Sequence, residues 1–562
     1  MSEHPAICLN MIVRNEMHIV REVLDAAAPH IAYWVVIDTG SDDGTQDVIR
    51  NHMASLNIPG ELYERPWRNF GHNRTEALSL AQGHGDYIWV IDADDTVVGG
   101  LDLTHLTADV YLLRCKDQNG DSYWQPWLFR DGVRVQWVGV THEYAVWDYD
   151  SCDAARLGGE YHIDIRNIGA RNVAGQKLPN DRDLLLAEVE RNPEDSRSVF
   201  YLAATYYAMS DFDNARKWYA RRAQMGGWDE EVYFALWRVA QSMARLREPW
   251  PAIQDAYLRT WEFRPTRAEP LYAVGRHYRE DHRYRLGYLF AQRAVEIPFP
   301  EQDAIAVAAD VYTWRAKDEQ AVCASWIGRQ PEAFTLCRQL IEQPDVPDQD
   351  RQRITGNRDV CVPTMIEAAS HYPEAKVQTL LAKPQGEVMV SLIAGPHRHT
   401  TELTLNSFLH CCNDLPQASG FVAFDTGLSE QDRIELQERY GFLEFIDIHP
   451  HAELNDLRAH ILGRFWLHLA EGWRFFAPDS LLTRLAAVLE AEPDVFQVGV
   501  NLNDATKLTG ACAPEHEVRR TFNAGRYLVT DTTAHGPAMF DTTRLDRAPR
   551  TATLDEVLCI ST

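Results

Sequence analysis

Acidic residues directly follow a strongly apolar segment of the chain, in the sequence YIWVIDADD (87–95). Two carboxylates that stand one residue apart at the end of a strand, such as Asp92 and Asp94, can share a hard divalent cation, because Mg²⁺ and Mn²⁺ prefer oxygen ligands. Such a cation would neutralise the negative charge that develops on a departing diphosphate. The same spacing occurs in surface turns, but the apolar segment before it favours a metal site.

Three further polar clusters stand after other segments of the N-terminal region. They are Arg14–Glu16, Asp38–Thr45 and Trp67–Arg74. The carboxyl ends of parallel strands converge on one crevice in an open sheet. We therefore predict that all four clusters form a single site, which requires Asp38 and Asp94 to face a common cavity.

The elements that position these clusters alternate between strand and helix patterns from residue 6 to about residue 91. Alternation of this kind predicts βαβ units on a mostly parallel sheet, that is, a Rossmann-like α/β domain. The segments YWVVID and YIWVID are apolar until a final Asp. Strands buried on both faces have this composition, and function lies at their carboxyl ends.

A helical period replaces this pattern from about Asp181 to Phe299, where Tyr201, Tyr233 and Tyr272 open corresponding helices. Helix pairs that recur about every 34 residues predict tetratricopeptide-like stacking. Such arrays form a concave surface suited to an extended peptide.

The β/α pattern then returns, and FDTGLSEQD in this region is similar to IDTGSDDGT near the N-terminus. We predict a second, diverged copy of the first fold. The predicted organisation is an α/β domain over residues 1–178, helical repeats over 179–343, a linker or ordered strap over 344–385 and the second α/β domain over 386–562.

The second α/β domain lacks paired acids where the first has DADD. A helix is predicted around Leu454–Ala470 and a strand over WRFFAP (473–478), so FFAPDS takes the place of DADD and keeps only Asp479. Asp425 is retained at the position that corresponds to Asp38 in the loop of the first domain. We predict an inactive or metal-independent copy that serves acceptor binding, assembly or scaffolding. Other acids could still supply ligands: Asp447, Asp456 and Asp504.

Composition excludes several classes of function. Lys and Arg number 55 against 82 Asp and Glu, so the net charge is −27. This charge disfavours nucleic acid as a partner, because binding to phosphate backbones depends on basic residues. The ten cysteines include no CxxC pair, which argues against a zinc ribbon. With no run of 18 apolar residues and no signal-peptide pattern, we expect a cytoplasmic protein without a transmembrane segment.

Three segments together resemble a known family: VVIDTGSDDGT, WRNFGHNRTEAL and YIWVIDADD. They are similar to family 2 glycosyltransferases of the GT-A fold, which use nucleotide-sugar donors. The continuation through WLFRDGVRVQWVGVTHEY and YHIDIRNIGARN resembles bacterial members in which this domain precedes tetratricopeptide repeats. The resemblance covers about residues 6–300, and the C-terminal third matches only in broad pattern.

The resemblance implies roles for individual residues. Asp38 would hydrogen-bond the nucleobase and Asp92 would face the ribose, while Asp94 would hold the metal with help from Asp95. His162 would complete the metal–diphosphate site, unless it is an ordinary loop histidine. The implied nucleotide-binding set is Asn15, Glu16, Asp38, Arg74 and Asp92. Arg74 could instead form an ion pair on its own helix.

The family resemblance also implies inversion at the anomeric carbon by direct displacement, which needs a carboxylate that takes the proton of the acceptor hydroxyl. Glu143 in THEY is the candidate base, and Asp131 in FRDG is the second choice. The alternative is that His142 and Glu143 have only a structural role. Nearby tryptophans could stack on a sugar or belong to the core: Trp124, Trp127 and Trp137.

We therefore expect a metal-dependent glycosyltransferase, most simply a hexosyltransferase, that uses Mn²⁺ or Mg²⁺ and a nucleotide-diphosphate sugar. The acceptor would be a protein, a glycan or a lipid-linked glycan presented by the repeats, and a homo-oligomer is compatible with the pattern. The alternative is a non-catalytic assembly protein built on the same scaffold. A nucleotidyltransferase is disfavoured, because the segment MIVRNE (11–16) has no glycine for a phosphate loop.

Overall fold

The computed structural model describes residues 4–118, 122–382, 385–452, 454–500, 518–529 and 536–547. The chain divides into two compact units, Met1–Phe263 and Arg264–Thr562. They are called the first and second units below.

The first unit begins with an α/β domain. Its strands are β1 (Ile7–Val13), β2 (Tyr33–Asp38), β3 (Gly60–Glu64), β4 (Tyr87–Val90), β5 (Thr96–Gly99), β6 (Val110–Lys116), β7 (Ser122–Arg130), β8 (Gln136–Val138), β9 (Tyr144–Val146), β10 (Ala154–Arg156) and β11 (Tyr161–Asp164). Its helices are α1 (Val20–Ala27), α2 (Thr45–Ser55), α3 (Phe70–Ala81) and α4 (Ala170–Val173).

The main sheet has the order β3-β2-β1-β4-β7-β6-β11-β5, with β10 beside β6. Strands β3, β2, β1 and β4 are parallel, and β7 runs antiparallel to β4. Strands β2 and β4 are almost entirely buried. The predicted Rossmann-like GT-A sheet is confirmed.

Helices complete the first unit: α5 (Lys177–Arg191), α6 (Ser196–Ala208), α7 (Phe212–Gln224), α8 (Asp229–Arg245) and α9 (Trp250–Phe263). Asp195 and Asp211 cap α6 and α7, accepting hydrogen bonds from backbone N–H groups of the first turns. Small and apolar residues from consecutive helices form one core that includes Leu202, Ala215 and Tyr219. The predicted tetratricopeptide-like pairs are confirmed as helical hairpins of this kind.

The second unit opens with further helices: α10 (Glu269–Glu280), α11 (Tyr284–Val295), α12 (Ala316–Trp326), α13 (Gln330–Glu342), α14 (Asp348–Val360), α15 (Val362–Ala369) and α16 (Glu374–Leu381). Residues 344–385, predicted to be a linker or ordered strap, therefore hold three of these helices. The polar sequence of this region hides the apolar pattern expected of packed helices, because some of its buried residues are polar. Arg351, for example, is buried and donates to the backbone carbonyls of Ile341, Gln343 and Val346.

A second α/β domain follows in the same unit. Its strands are β12 (Val388–Ala394), β13 (Ala418–Asp425), β14 (Leu443–Asp447), β15 (Phe465–Leu469), β16 (Gln497–Gly499), β17 (Arg519–Thr521), β18 (Gly525–Tyr527) and β19 (Ala538–Asp541). Its helices are α17 (Arg398–Cys411), α18 (Glu430–Arg439), α19 (Leu454–Arg458), α20 (Leu481–Ala491) and α21 (Thr542–Leu545).

The order β14-β13-β12-β15 in the second sheet repeats β3-β2-β1-β4, and these strands are again parallel. The predicted second copy of the fold is confirmed. One detail of the prediction is wrong: the fourth strand is Phe465–Leu469, not WRFFAP, and the helix before it ends at Arg458. The residues after this strand are Ala470, Glu471 and Gly472, so Asp479 does not occupy the place of the acidic pair.

The strand β15 contains a buried histidine, which interrupts the apolar pattern by which a strand is predicted from the sequence. His468 is 3% exposed, and its Nδ1 lies 2.9 Å from the Ser391 Oγ. The Trp466 indole donates to the same oxygen at 2.7 Å, so the Ser391 hydroxyl can donate to the imidazole. Burial disfavours the charged ring and lowers the pKa of His468 to about 4. The imidazole is therefore neutral at physiological pH.

This buried imidazole should make the second unit sensitive to acid. The unfolded chain binds a proton near pH 6.5, whereas the folded chain does so only near pH 4, so the free energy of unfolding falls as the pH drops between these values. From pH 7 to pH 5 the expected loss is about 2 kcal/mol. Denaturant titrations of the wild type and His468→Gln at both pH values measure it. Equal pH dependence in the two proteins would contradict this assignment.

Candidate active site

The strands of the first sheet end side by side. Val13 at the end of β1 lies opposite Asp38 at the end of β2, and Asp38 lies opposite Glu64 at the end of β3. On the other side of β1, Asn10 pairs with Val90 of β4, two residues before Asp92. The polar clusters predicted from the sequence therefore meet at one edge of the sheet.

Asp38 is fixed by the turn that follows it. Its Oδ1 accepts hydrogen bonds from the backbone N–H groups of Gly40 and Ser41, each at 2.9 Å, and from the Gln46 side chain at 3.1 Å. The residue is 1% exposed. Its Oδ2 is buried without a hydrogen-bond partner among the described residues. This oxygen therefore retains an unused capacity to accept a hydrogen bond.

The loop after β1 is tied to this turn. The Asn15 backbone N–H donates to the Ser41 hydroxyl at 2.8 Å, and the Asn15 side chain accepts from the Asp42 N–H at 2.9 Å. The Glu16 N–H donates to the Thr45 hydroxyl at 2.9 Å. The contacts hold the predicted residues Asn15 and Glu16 beside the Asp38 turn.

Arg74 joins two carboxylates that are distant in the sequence. Helix α3 begins after Asn69, whose side chain accepts from the His72 N–H, and Arg74 stands in its second turn. The Arg74 Nε lies 2.6 Å from the Glu143 Oε1, and its Nη2 donates to the Asp92 carboxylate. Burial opposes the charge of this guanidinium, but the two carboxylates outweigh it and raise the pKa of Arg74.

These three side chains line a cavity of about 250 Å³. The other lining residues are Phe70, Gln125, Trp127, Trp137, Thr141, His142, Arg171 and Lys177. The Arg74 guanidinium lies 5.3 Å from the centroid of the Trp137 ring. The cavity thus combines carboxylates, cations and aromatic faces, a set that suits an anionic sugar donor and a polyhydroxylated acceptor.

The remaining acids of the predicted site are not among the residues that line this cavity. The Asp94 Oδ2 accepts from the Gly169 N–H at 2.8 Å, and the Glu16 carboxylate accepts from the Ala170 N–H at 3.2 Å. An added Cβ on Gly169 would lie 3.1 Å from oxygens of both acids. Neither Asp38 nor Asp94 is among the residues that line the cavity.

Two of these carboxyls have raised pKa values. Burial, together with the charges of Asp92 and Asp94, raises the pKa of Asp95 to about 9, and its Oδ2 has no partner among the described residues. Burial, reinforced by Asp94, also raises the pKa of Glu16 to about 7, although the Ala170 N–H acts against it. Burial and the crowding of carboxyls at this strand end therefore favour the protonated forms of Asp95 and Glu16.

The predicted metal ligands do not form a cluster. Within the described ranges, no three His, Cys, Asp or Glu side chains are grouped closely enough to hold a metal ion. His162 pairs with Val98 across β11 and β5, whereas Asp164 is the residue opposite Thr96, next to Asp95. The antiparallel register therefore separates His162 from the strand end at which Asp94 and Asp95 lie.

Two other candidates lie elsewhere. Asp131 follows Arg130, which pairs with Tyr87 at the start of β4, and its carboxylate accepts from the Gly83 N–H at 3.0 Å. This position is at the opposite end of β4 from Asp92. The guanidinium groups of Arg114 and Arg156 lie 5.4 and 5.2 Å from the centroid of the Trp124 ring, and Trp124 does not line the cavity.

Two cations of the cavity were missed in the sequence. Arg171 lies 4.6 Å from the Phe70 ring and 3.1 Å from the Asp181 carboxylate, and Lys177 begins helix α5. Both follow the last strand of the sheet, so the rule that places sites at the ends of parallel strands does not find them. A cation search restricted to the segment after YHID would have included Arg171.

A family model described as "Glycosyl transferase family 2" matches residues 9–108. This segment is a family 2 glycosyltransferase domain. The match includes Asn15, Asp38, Arg74, Asp92 and Asp94. It supports sugar transfer from a nucleotide-sugar donor. No curated protein sequence matches the chain at a significant level.

Solved structures similar to this chain include two kinds of protein. TarS of S. aureus is 12% identical over 45% of this chain and 55% of its own, with a TM-score of 0.28. TarS 1-349 of S. aureus in complex with UDP is 14% identical over 46% of this chain and 89% of its own, with a TM-score of 0.26. MamA is 13% identical over 31% of this chain and 91% of its own, with a TM-score of 0.25.

The second α/β domain repeats the Asp38 turn of the family 2 domain. The Asp425 Oδ1 accepts from the N–H groups of Gly427 and Leu428, at 2.9 and 2.8 Å. Its other oxygen, however, is paired with Arg433 at 3.3 Å, and Arg433 also binds Asp447. This carboxylate is therefore neutralised within the fold.

Among the described residues, the other acids predicted for this domain give no paired metal site. Asp479 forms ion pairs with Arg338 and Arg484, which lower its pKa although burial acts in the opposite direction. Asp456 lies in the short helix α19. Asp504 lies outside the described residues.

No helix in the part of the chain that the structure describes combines the length and the apolar character needed to cross a membrane.

Proposed function

We propose that this chain is a metal-dependent, inverting glycosyltransferase, a hexosyltransferase in the simplest case, that moves a sugar from a nucleotide diphosphate to an acceptor hydroxyl. One observation carries the proposal. Arg74 holds Asp92, at the end of the strand that carries the acidic motif, and Glu143, 69 residues later than Arg74 in the chain, in one cavity. A donor-binding group and a candidate base thereby face the same space.

Glu143 is the proposed general base. In the proposed step, the acceptor oxygen attacks the anomeric carbon from the face opposite the diphosphate. The bond from this carbon to the diphosphate oxygen breaks, and the hydroxyl proton passes to the Glu143 carboxylate. Only one face of the sugar is attacked in a single displacement, so the anomeric configuration inverts.

Asp38 is the proposed contact for the nucleobase. Its unpaired, buried Oδ2 can accept a hydrogen bond from a ring N–H or an exocyclic amino group. Asn15 and Glu16 would flank the nucleotide from the adjacent loop, and Asp92 would accept from the ribose hydroxyls. An unpaired buried oxygen costs free energy in the empty protein, so donor binding recovers this cost.

The acidic strand end fits a divalent cation that is completed by the donor. The unpartnered Asp95 Oδ2, and the charges of Asp92 and Asp94 that oppose ionisation of Asp95, support a cation at this strand end, because a cation would favour the ionised carboxylates. Mg²⁺ often takes one or two carboxylates and completes its shell with substrate phosphates and water. Asp94 would hold the ion, with Asp92 beside it and without His162. When bound, the metal would stabilise the departing diphosphate.

The helical repeats are the proposed acceptor surface. A protein, a glycan or a lipid-linked glycan suits them, whereas the net charge of −27 disfavours nucleic acid. For the second α/β domain, the Arg433–Asp425 pair favours a non-catalytic role in acceptor binding or assembly, since a neutralised carboxylate does not serve a nucleobase as Asp38 would.

A thermal-shift screen tests the donor. Nucleotide-diphosphate sugars are added with and without Mn²⁺, and the true donor should raise the melting temperature only in the presence of metal. Ligand at 100 times its Kd stabilises the folded state by about 2.7 kcal/mol. The matching enzymatic assay is metal-dependent release of nucleoside diphosphate. No stabilisation and no release with any donor would refute the proposal.

A further inference from the structure

Helices of the repeats hold the loop that carries Glu143. Hairpin β8–β9 turns through residues 139–143, and the Glu143 side chain reaches Arg74. The backbone and side chains of the neighbouring loop residues contact α5 and α6 of the same unit. The base therefore lies at a junction between the sheet domain and the first helical pair.

The start of the loop is anchored in the helices. Val140 is 8% exposed and belongs to the same apolar core as Leu185 of α5 and Leu202 of α6. The Thr141 hydroxyl donates to the Asp181 carboxylate of α5 at 3.2 Å, and Asp181 is 1% exposed. Both residues before His142 are thus fixed by α5 and α6.

Residues of helix α6 contact His142, which precedes Glu143. The His142 and Tyr201 rings stack with centroids 4.1 Å apart and an angle of 9° between their planes. The Arg197 Nη2 donates to the His142 carbonyl at 3.0 Å, and its guanidinium lies 4.5 Å from the Tyr144 ring. His142 has φ of 51°, in the left-handed region. A histidine keeps this strained backbone only where its surroundings impose it.

We propose that helix α6 positions the general base, with Tyr201 and Arg197 as positioning residues that fix Glu143 through His142. The inference rests on the proposed role of Glu143. A catalytic group displaced by about 1 Å can lose about 100-fold in rate. The repeats are thereby part of the catalytic apparatus as well as an acceptor surface.

The first test replaces Tyr201. Tyr201→Ala should lower the kcat of sugar transfer by about 30- to 100-fold while the KM for the donor stays within about twofold. Tyr201→Phe should retain wild-type kcat, because the stack needs the ring and not the hydroxyl. Tyr207→Ala is the matched control, since this tyrosine of the same helix contacts Arg238 at 4.4 Å. A Tyr201→Ala loss no larger than that of Tyr207→Ala overturns the inference.

The second test combines variants. In a Glu143→Gln background, Tyr201→Ala should add less than about twofold, because residues that act as a unit are not additive. A further loss as large as that in the wild-type background would mean that Tyr201 acts independently of the base, and would overturn the inference.

Hydrogen exchange separates this inference from the proposed function. The amides of residues 139–144 should exchange faster in Tyr201→Ala than in the wild type and Tyr207→Ala. Faster exchange together with a wild type that transfers no sugar would support the proposal that α6 fixes this loop and would refute the proposed transferase activity. Unchanged exchange in Tyr201→Ala would overturn the proposal that α6 fixes this loop, whatever the activity of the protein.

Discussion

Replacement of Glu143 by glutamine should lower the rate of sugar transfer by about 10²- to 10⁴-fold, the usual contribution of a general base. The amide keeps the shape of the side chain, and its oxygen can still accept the hydrogen bond from the Arg74 Nε, now 2.6 Å from the carboxylate. It has no basic oxygen to receive the acceptor proton. We therefore expect the loss in kcat, with the donor KM within about threefold of the wild type.

Asp131→Asn is the comparison that decides between the two candidate bases. Asp131 lies at the other end of β4 and accepts backbone hydrogen bonds from Gly83, so its amide should have a small effect on kcat. Steady-state kinetics of both variants at saturating donor measure the difference. A larger loss in Asp131→Asn than in Glu143→Gln would reverse the assignment.

Replacement of Asp94 by asparagine should slow metal-dependent release of the nucleoside diphosphate by about 10²- to 10³-fold, as for other groups that stabilise developing negative charge. The asparagine oxygen can still accept from the Gly169 N–H, now at 2.8 Å. The loop that contains Gly169 should therefore stay in place, while the charge that is proposed to hold the cation is lost. Asp94→Ala, which removes both, should be at least as severe.

Titration with Mn²⁺ separates metal binding from folding. Asp94→Asn should need a much higher Mn²⁺ concentration for the donor-dependent thermal shift, while its melting temperature without ligands stays near that of the wild type. Asp102→Asn is the control, because Asp102 is an exposed carboxylate of the same domain that accepts a hydrogen bond from the Thr104 N–H. Unchanged Mn²⁺ dependence in Asp94→Asn would remove Asp94 from the metal site.

Local pattern was sufficient for the two α/β domains and the helical repeats of this protein. Apolar runs that end in Asp38 and Asp92 identified strands buried on both faces, and their alternation with helices predicted the parallel sheet. The helical period likewise predicted the repeats. Local pattern did not predict the helices within residues 344–385, nor β15, where the buried His468 interrupts an apolar run and contacts Ser391, a residue 77 positions earlier in the chain.

The sequence by itself determined which residue types stand at the strand ends, since strand direction and burial follow from short-range periodicity. Only the tertiary structure decided which of them meet. Arg74 joins Asp92 to Glu143, whereas Asp131, Trp124 and His162 lie elsewhere, and α6 grips the loop of Glu143. The physical reason is that sheet register and loop paths bring together residues tens of positions apart, and such contacts leave no periodic signal in the sequence.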